Sequence, residues 1–233
     1  MNLAFLDPDE PQFPDPSAAL AEPDGLLAFG GNLEPKTLVD AYRQGIFPWY
    51  QDEDPILWWS PATRCLIEPK ALNISRRLLR LLRQQPYQIK TDSAFNEVVK
   101  ACAEPRGDGG TWITEEMMEA YTALHEQGQA HCVEVWDGSD LVGGIYGVHI
   151  GGIFCGESMF SRVDNGSKIA IAHLCQWMAA EGLELLDCQM INPHLLSLGA
   201  ISMPRSDFLI RLRNIRDRQH KWSLTDSYNW QWR

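Results

Sequence analysis

The stretch HCVEVWDGSDLVGGIYGVHIGGIFCGESMF, from His131 to Phe160, decides the fold class of this 233-residue chain. It contains three runs rich in β-branched and aromatic residues, separated by the turn DGSD at residues 137–140 and by a Gly151-Gly152 pair. Apolar runs joined by short turns of these residue types are typical of β-hairpins. The stretch therefore predicts three consecutive antiparallel strands.

Helices are predicted on both sides of these strands. Six segments have apolar residues at helical spacing, and most of them begin at a cap residue or end at glycine or proline. They are Pro35 to Gly45, Asn73 to Pro86, Asp92 or Ser93 to Cys102, Thr114 to Gly128, Ser167 to Ala180, and Asp207 to Arg218. After Gly182, the run LELLDCQ is interpreted as a buried strand.

The segment after the first predicted helix has a different composition. IFPWYQDEDPILWWSP, from Ile46 to Pro61, holds three prolines and three tryptophans, which suits an aromatic-lined loop better than a regular element. The order of helices, meander, helix and strand predicts an α+β fold. We expect a small N-terminal domain at residues 1–62 and a larger domain at residues 63–233, with a mixed, largely antiparallel sheet flanked by helices.

The charge of the chain is unevenly distributed. The formal net charge is -11, which argues against a nucleic-acid partner because phosphate would be repelled. Residues 1–60 hold eleven acidic residues against Lys36 and Arg43. Residues 64–90 hold seven basic residues against Glu68. A basic segment in an acidic protein therefore remains a candidate for binding phosphate.

Cysteine usage and hydropathy indicate a reducing, aqueous environment. The six cysteines occur singly in apolar runs, without the paired spacing of a zinc site or a redox dithiol, and are predicted to be reduced core residues. The acidic, proline-rich start lacks the pattern of a secretory signal, and no window approaches the roughly 18 apolar residues of a membrane span. We expect a cytoplasmic protein with no membrane association.

No common catalytic fingerprint is present: the sequence lacks a phosphate-binding loop, an HExxH pair and a GxSxG elbow. The histidines also lack metal-like spacing, so they are interpreted as core or surface residues. The polar end of the strand LELLDCQ is more informative. Alternation along that strand places Asp187 and Gln189 on the same side, where they can hydrogen-bond. The alternative is a strand-end carboxylate that caps nearby amides.

Two further positions are candidates. Glu157 stands among apolar neighbours, where a carboxylate needs a partner or a cavity; the simpler interpretation is a salt bridge to Arg162. Trp112 precedes the cap residue Thr114, so its ring is either a stacking surface or a hydrophobic staple of the following helix.

Eight segments, in the same order from about Gly25 to Phe208, resemble the leucyl/phenylalanyl-tRNA-protein transferase family. They are GLLAFGGNL (Gly25–Leu33), AYRQGIFPWY (Ala41–Tyr50), DPILWWSP (Asp54–Pro61), GTWIT (Gly110–Thr114), HCVEVW (His131–Trp136), LVGGIYGV (Leu141–Val148), FCGESMFSR (Phe154–Arg162), and LLDCQ with SLGA (Leu185–Ala200). The acidic N-terminal arm and the tail WSLTDSYNWQWR match no family pattern.

The resemblance implies an enzyme that moves leucine or phenylalanine, and less readily methionine, from tRNA to proteins that begin with arginine or lysine, and so marks them for degradation. It implies an N-acetyltransferase-like (GNAT) C-terminal domain. The expected partners are leucyl-tRNA, phenylalanyl-tRNA and the acceptor proteins. No cofactor or metal is expected, and the chain is expected to be a monomer.

The resemblance also implies roles for individual residues. Asp187 and Gln189 match the catalytic pair, in which Asp187 polarises the Gln189 carboxamide so that its carbonyl oxygen receives or orients the proton of the attacking amine. Ile145 stands where the family is expected to carry methionine. The other implied roles are binding of the aminoacyl-adenosine by Trp49, Trp112, Tyr121, Glu157 and Ser158, a side-chain pocket of Ile145, Phe154, Ile171 and Leu186, and tRNA backbone contacts by Arg76, Arg77, Arg80 and Arg83.

Two other functions are compatible with parts of the sequence. An N-acetyltransferase would carry a pyrophosphate-binding loop ahead of a helix, and the segment from Arg162 to Ser167 departs from that loop at both glycine-type positions. A noncatalytic RNA-binding or peptide-binding module would also use a basic helix and an aromatic loop. Changing Asp187 to alanine, or Gln189 to alanine, distinguishes the two functions. In an enzyme both changes should slow transfer and leave binding of charged tRNA largely intact.

Overall fold

A computed structural model describes residues 3–104 and 111–232 of the chain. Gly110, which opens the GTWIT segment, lies outside the described residues. Residues 3–60 form a four-stranded sheet of order β1-β2-β4-β3, with one α-helix after the second strand. These elements are β1 (Ala4–Leu6), β2 (Leu26–Gly30), α1 (Pro35–Arg43), β3 (Phe47–Pro48) and β4 (Leu57–Trp59).

The tryptophan-rich stretch is not wholly a loop, as its composition had predicted. Its two ends pair as antiparallel strands, with Phe47 opposite Trp59 and Pro48 opposite Trp58. Trp58 is fully buried and donates its indole N–H to the carbonyl of Gly30 at 2.9 Å. Pro48 is tolerated because β3 is an edge strand, where its missing N–H leaves no ladder bond unmade.

The larger sheet has seven strands in the order β11-β5-β10-β9-β8-β7-β6. Among the described strands, β9 and β10 pair in parallel and the other neighbours pair antiparallel, which confirms the mixed, largely antiparallel sheet. The strands are β5 (Thr63–Ile67), β6 (Gln88–Thr91), β7 (Ala130–Asp137), β8 (Asp140–Ile150), β9 (Ile153–Ser161), β10 (Leu185–Gln189) and β11 (Ile201–Pro204).

The predicted meander is confirmed as β7, β8 and β9. Gly151 forms the second turn with a φ of +54°, a left-handed conformation that favours glycine. A Cβ atom at Gly151 would also lie 2.5 Å from the carbonyl oxygen of Ile215. The short strands β5, β6 and β11 were not predicted.

Five of the predicted helices cover the sheet: α2 (Arg76–Gln84), α3 (Phe95–Ala103), α4 (Glu115–Glu126), α5 (Gly166–Glu181) and, after the short α6 (Pro193–Ser197), α7 (Arg205–Ile215). The helix α6 was not predicted. Two predicted caps are wrong. Ser75, not Asn73, caps α2, and Asn73 donates instead to the carbonyl of Ser197. Neither Asp92 nor Ser93 caps α3; the carboxylate of Glu134, on β7, accepts hydrogen bonds from the backbone N–H groups of Ser93 and Ala94 at the start of this helix.

The C-terminal tail after α7 folds back over α5 and β7. Trp222 stacks on His131 with ring centroids 4.2 Å apart and an angle of 4° between the planes. Gln231 exchanges two backbone hydrogen bonds with the side chain of Gln176. Leu224 is buried. The tail therefore completes the core on this side of the sheet.

The cysteines are free thiols, five of them buried and Cys188 half-buried, as the sequence predicted. Among the helices of residues 3–104 and 111–232, none is both long enough and apolar enough to cross a membrane.

Candidate active site

The site begins at the end of β10, between β5 and β9. Asp187 is fully buried, and its partner is Arg64 of β5. The Arg64 Nε donates to both Asp187 oxygens at 2.9 and 3.1 Å, and Nη2 donates to Oδ2 at 2.7 Å. A charged pair at this depth requires such multiple contacts, because removing either charge from water is costly. No local pattern around Arg64 predicted that this side chain would be buried.

Gln189 adopts a left-handed backbone, with φ of +61°, at a bulge where the register between β10 and β5 shifts. Its backbone N–H donates to Oδ1 of Asp187 at 2.9 Å, while its side-chain Nε2 donates to Oε1 of Glu157 at 2.9 Å. The predicted hydrogen bond between Asp187 and Gln189 therefore exists, but it uses the backbone of Gln189. Strict alternation fails here because a bulge interrupts the two-residue period.

This geometry corrects one implied role. Among the described residues, the Gln189 carboxamide is hydrogen-bonded to Glu157, and Asp187 contacts only the backbone N–H of that residue. Polarisation of the carboxamide by Asp187 is therefore not the arrangement seen. Glu157 occupies the position from which a carboxylate can orient that group.

Glu157 lies at the centre of a buried hydrogen-bond chain. The Tyr121 hydroxyl donates to its Oε2 at 2.7 Å, and the Tyr42 and Tyr121 hydroxyls are 2.6 Å apart. Burial raises the pKa of Glu157 to about 7, against the hydrogen bonds from Tyr121, Tyr42 and Gln189, which lower it. The predicted salt bridge from Glu157 to Arg162 is wrong, because Arg162 pairs with Glu104. Tyr42 had not been singled out from the sequence.

A cleft of about 250 Å³ opens beside this polar group. Its lining combines the polar strand end with two tryptophans and an apolar wall. The predicted site residues that line it are Trp49, Trp112, Ile145, Glu157, Ser158, Ile171, Leu186 and Gln189. These residues are distant in sequence and converge only in the fold.

The predicted residues Phe154, Tyr121 and Asp187 do not line the cleft. Phe154 is buried in the same apolar cluster as the Ile145, Ile171 and Leu186 wall. Tyr121 lies beneath Glu157, and Asp187 lies against Arg64. These three side chains therefore support the residues that face the cleft.

The two tryptophans of the cleft are half-buried. Trp49 makes an edge contact with Trp59, with ring centroids 5.5 Å apart, and its carbonyl accepts the Trp59 indole N–H at 2.6 Å. Trp112 precedes Thr114, whose hydroxyl caps α4 at the N–H of Met117. The predicted cap is confirmed, and Trp112 still reaches the cleft.

The arginines of α2 are exposed, as the predicted helical face requires. Leu78 and Leu82 are buried on the opposite face. Arg64 differs from them: it had been counted with the basic segment, but it is 1% exposed and neutralised by Asp187. The surface charge of that segment is therefore lower than its sequence implies. The exposed arginines are Arg76, Arg77, Arg80 and Arg83.

One group of potential metal ligands is present in the described part of the chain. Asp92, His125 and His131 bring ligand atoms within 4.8 Å of one another. His131 Nδ1 lies 2.7 Å from Asp92 and Nε2 lies 3.2 Å from the carbonyl of Gly128. None of the three lines the cleft. The pairing of β6 with β7 brings Asp92 close to His131, and His125 comes from the end of α4, which linear spacing does not reveal.

Comparison with known proteins identifies the family of this chain. The sequence model described as leucyl/phenylalanyl-tRNA protein transferase matches residues 66–213, and that of the N-terminal domain of the same protein matches residues 31–62. The chain belongs to the leucyl/phenylalanyl-tRNA–protein transferase family. Family membership makes the chain an aminoacyltransferase, with an aminoacyl-tRNA donor and a protein acceptor.

Individual relatives are similar over most of their length. The leucyl/phenylalanyl-tRNA–protein transferase of Nitrosospira multiformis is 53% identical over 214 residues, covering 90% of this chain and 92% of the relative. That of Nitrosomonas europaea is 52% identical over 220 residues, covering 93% of each. The two family models together span the residues from Trp49 to Gln189 that line the cleft.

Similarity to solved structures is weaker. The structure of L-PGS from Bacillus licheniformis gives a TM-score of 0.42 at 10% identity, covering 67% of this chain and 66% of the other. A functionally unknown protein from Staphylococcus epidermidis gives 0.42 at 11% identity, covering 77% of this chain and 68% of the other. Neither score assigns a shared fold, so the N-acetyltransferase-like domain stays a prediction.

Proposed function

We propose that this transferase moves leucine or phenylalanine, and methionine less readily, from tRNA to the N-terminal arginine or lysine of acceptor proteins, marking them for degradation. One observation supports this best: the same cleft is lined by an apolar wall, by two tryptophans and by the hydrogen-bonded side chains of Glu157 and Gln189. An apolar aminoacyl group, a nucleobase and an attacking amine each find a matching surface there. The transfer would take place in the cytoplasm, by a monomer.

The apolar wall would bind the side chain of the transferred amino acid. Ile145, Ile171 and Leu186 face the cleft, and Phe154 packs in the cluster behind them. Such a wall favours leucine and phenylalanine through burial and discriminates weakly among similar apolar shapes. Methionine is flexible and fits irregular apolar space, so a weaker reaction with it follows.

The tryptophans would hold the terminal adenosine of the tRNA. Base stacking on an aromatic ring contributes about 1–3 kcal/mol. Trp49 lies between β3 and β4 of the first sheet, and Trp112 lies just before α4, so adenosine binding would bring these two parts of the chain together. Ser158 and Glu157 would supply polar contacts beside them, and Tyr121 would act through Glu157.

Transfer requires the amine nitrogen to attack the ester carbonyl. The new C–N bond forms, the bond to the ribose oxygen breaks, and the amine proton ends on that ribose hydroxyl. Gln189 would orient the amine: its Nε2 is held by Glu157, which leaves Oε1 to accept an N–H. A carboxamide is too weak a base to remove the proton itself. Positioning of an already activated ester therefore supplies most of the rate.

Charge would bring the two substrates to the cleft. The exposed arginines of α2 are suited to tRNA phosphates, and they resolve the conflict with the net charge of -11. The acidic excess of residues 1–60 would attract a cationic N-terminus. We also propose that residues 1–62 and 63–233 form the two domains, the second N-acetyltransferase-like.

The rival reaction with acetyl-CoA needs an open helix N-terminus for pyrophosphate. At the start of α5, the backbone N–H of Ser167 donates to Ser161 Oγ at 2.6 Å, and the backbone N–H of Gly166 donates to the carbonyl oxygen of Val163 at 3.2 Å. Two of the amides that would hold a phosphate are therefore occupied. This observation supports tRNA as the acyl donor.

A direct assay tests the proposal. The purified protein is incubated with phenylalanyl-tRNA and a peptide that begins with arginine, and the products are weighed by mass spectrometry. We expect the peptide to gain one phenylalanyl residue, and a peptide that begins with alanine to gain much less. Acetyl-CoA in place of the tRNA serves as the rival donor. An unmodified arginine peptide, with both substrates intact, would refute the proposed function.

A further inference from the structure

Arg64 is placed unusually for its residue type. Arginine is almost never fully buried unless it is paired, and Arg64, the second residue of β5, is 1% exposed. Its guanidinium lies between the rings of Phe47 and Phe208, 4.8 Å from each centroid. Its Nη1 also donates to the carbonyl of Gly45 at 3.2 Å. The side chain therefore joins the N-terminal unit, α7 and β10.

The principal partner of Arg64 is the carboxylate of Asp187. Three N–H contacts from Arg64 occupy both carboxylate oxygens, and one of these oxygens also accepts the backbone N–H of Gln189. An acceptor fixed on both sides cannot turn towards a substrate. Asp187 thus transmits the position of Arg64 to the backbone of Gln189.

That backbone needs support. A left-handed conformation at a residue other than glycine is strained and persists only where its surroundings hold it. At Gln189 the φ of +61° coincides with the bulge in β10 and with the side-chain hydrogen bond to Glu157. A relaxed, extended backbone would move the carboxamide away from Glu157 and from the cleft.

We propose that Arg64 is a positioning residue for aminoacyl transfer, which acts through Asp187 to hold the bulge at Gln189. The inference rests on the proposed role of Gln189 in the transfer reaction. Arg64 touches neither the cleft nor solvent among the described residues, so it cannot act by binding phosphate. Its role differs in kind from that of the exposed arginines of α2.

The test compares Arg64→Gln with the wild-type enzyme under single-turnover conditions, with saturating phenylalanyl-tRNA and arginine peptide. We expect the rate to fall by about 10- to 100-fold, because small misplacements of a reacting group have effects of this size. The Kd for tRNA and its salt dependence should stay within about 2-fold of wild type. Arg211→Gln, which removes a partly exposed arginine paired with Glu68, is the matched control and should transfer normally.

A second background isolates the positioning role. In Gln189→Ala, the group that Arg64 positions is absent, so adding Arg64→Gln should change the rate by less than about 3-fold. Arg64→Lys keeps a buried cation but loses the planar fork, and should give an intermediate rate on the wild-type background. It also provides a folded variant if Arg64→Gln proves unstable in thermal unfolding.

Three results would overturn the inference. The first is an unchanged transfer rate in both Arg64 variants. The second is a loss of rate from Arg64→Gln that is as large in the Gln189→Ala background as in wild type, and the third is a rise in the tRNA Kd that matches the loss of rate. If the Gln189→Ala background is too slow to measure, the comparison of rate with Kd decides alone. Failure of the wild-type enzyme to transfer would refute the proposed function instead, so the two failures are distinguishable.

Discussion

Replacing Glu157 by glutamine should change how the stability of the protein depends on pH. Burial raises the pKa of the Glu157 carboxyl from 4.5 to about 7 in the folded protein. In the unfolded chain the same group titrates near its ordinary value. Between these two values the folded protein retains a proton that the unfolded chain has lost. By linkage, this group makes the protein less stable as pH rises from about 4.5 to about 7.

The magnitude follows from the two pKa values. A full shift from 4.5 to about 7 corresponds to about 3 kcal/mol above both values. Near pH 5 part of this effect is already present, so the change expected between pH 5 and pH 8 is about 2–3 kcal/mol. The glutamine side chain does not titrate in this interval. The stability of Glu157→Gln relative to wild type should therefore rise by about 2–3 kcal/mol from pH 5 to pH 8.

Urea unfolding followed by tryptophan fluorescence measures this difference. Wild type and Glu157→Gln are compared near pH 5 and near pH 8, with Glu119→Gln as an exposed control. Other buried groups, such as His149 and His173, whose pKa values burial lowers to about 4, are present in both proteins and cancel. An identical difference between wild type and Glu157→Gln at both pH values would refute the reasoning.

Three further predictions concern the tRNA surface, the cleft and the tail. Changing Arg76, Arg80 and Arg83 together to glutamine should weaken tRNA binding at least about 10-fold and lower the salt slope by about 2–3; an unchanged slope places the tRNA path elsewhere. Trp112→Ala should weaken binding of phenylalanyl-adenosine by about 1–3 kcal/mol, measured by calorimetry, while Trp112→Phe should lose less. Truncation after Lys221 removes the tail that covers α5, and should lower the free energy of unfolding in urea by about 3 kcal/mol or more; unchanged stability would show that the tail contributes no core.

Local patterns predicted those features that depend on near neighbours. The strand runs and glycine turns between His131 and Phe160 gave the meander, because alternation and turn chemistry act within a few residues. Thr114 was identified as a cap for the same reason. The cap of α3 was missed, because it is supplied by Glu134 from another strand.

For the candidate site, the sequence indicated which residues belong to it but not how they contact one another. The residues of the cleft, from Trp49 to Gln189, followed from the family resemblance, and the fold brings most of them together. The hydrogen-bond partners of these residues did not follow from the resemblance. Whether Asp187 contacts the side chain or the backbone of Gln189 depends on a bulge, and a bulge is set by the register of the neighbouring strand.

The sequence by itself determined the six longer helices, the meander, the unpaired cysteines and the family, because these depend on residue types at short spacing or on many segments in a fixed order. Only the tertiary structure decided that Arg64 is a buried partner of Asp187 while the arginines of α2 face solvent. In the sequence these arginines are alike. Their difference arises because β5 lies between β10 and β11, and because burial of a charge depends on what the rest of the chain places around it.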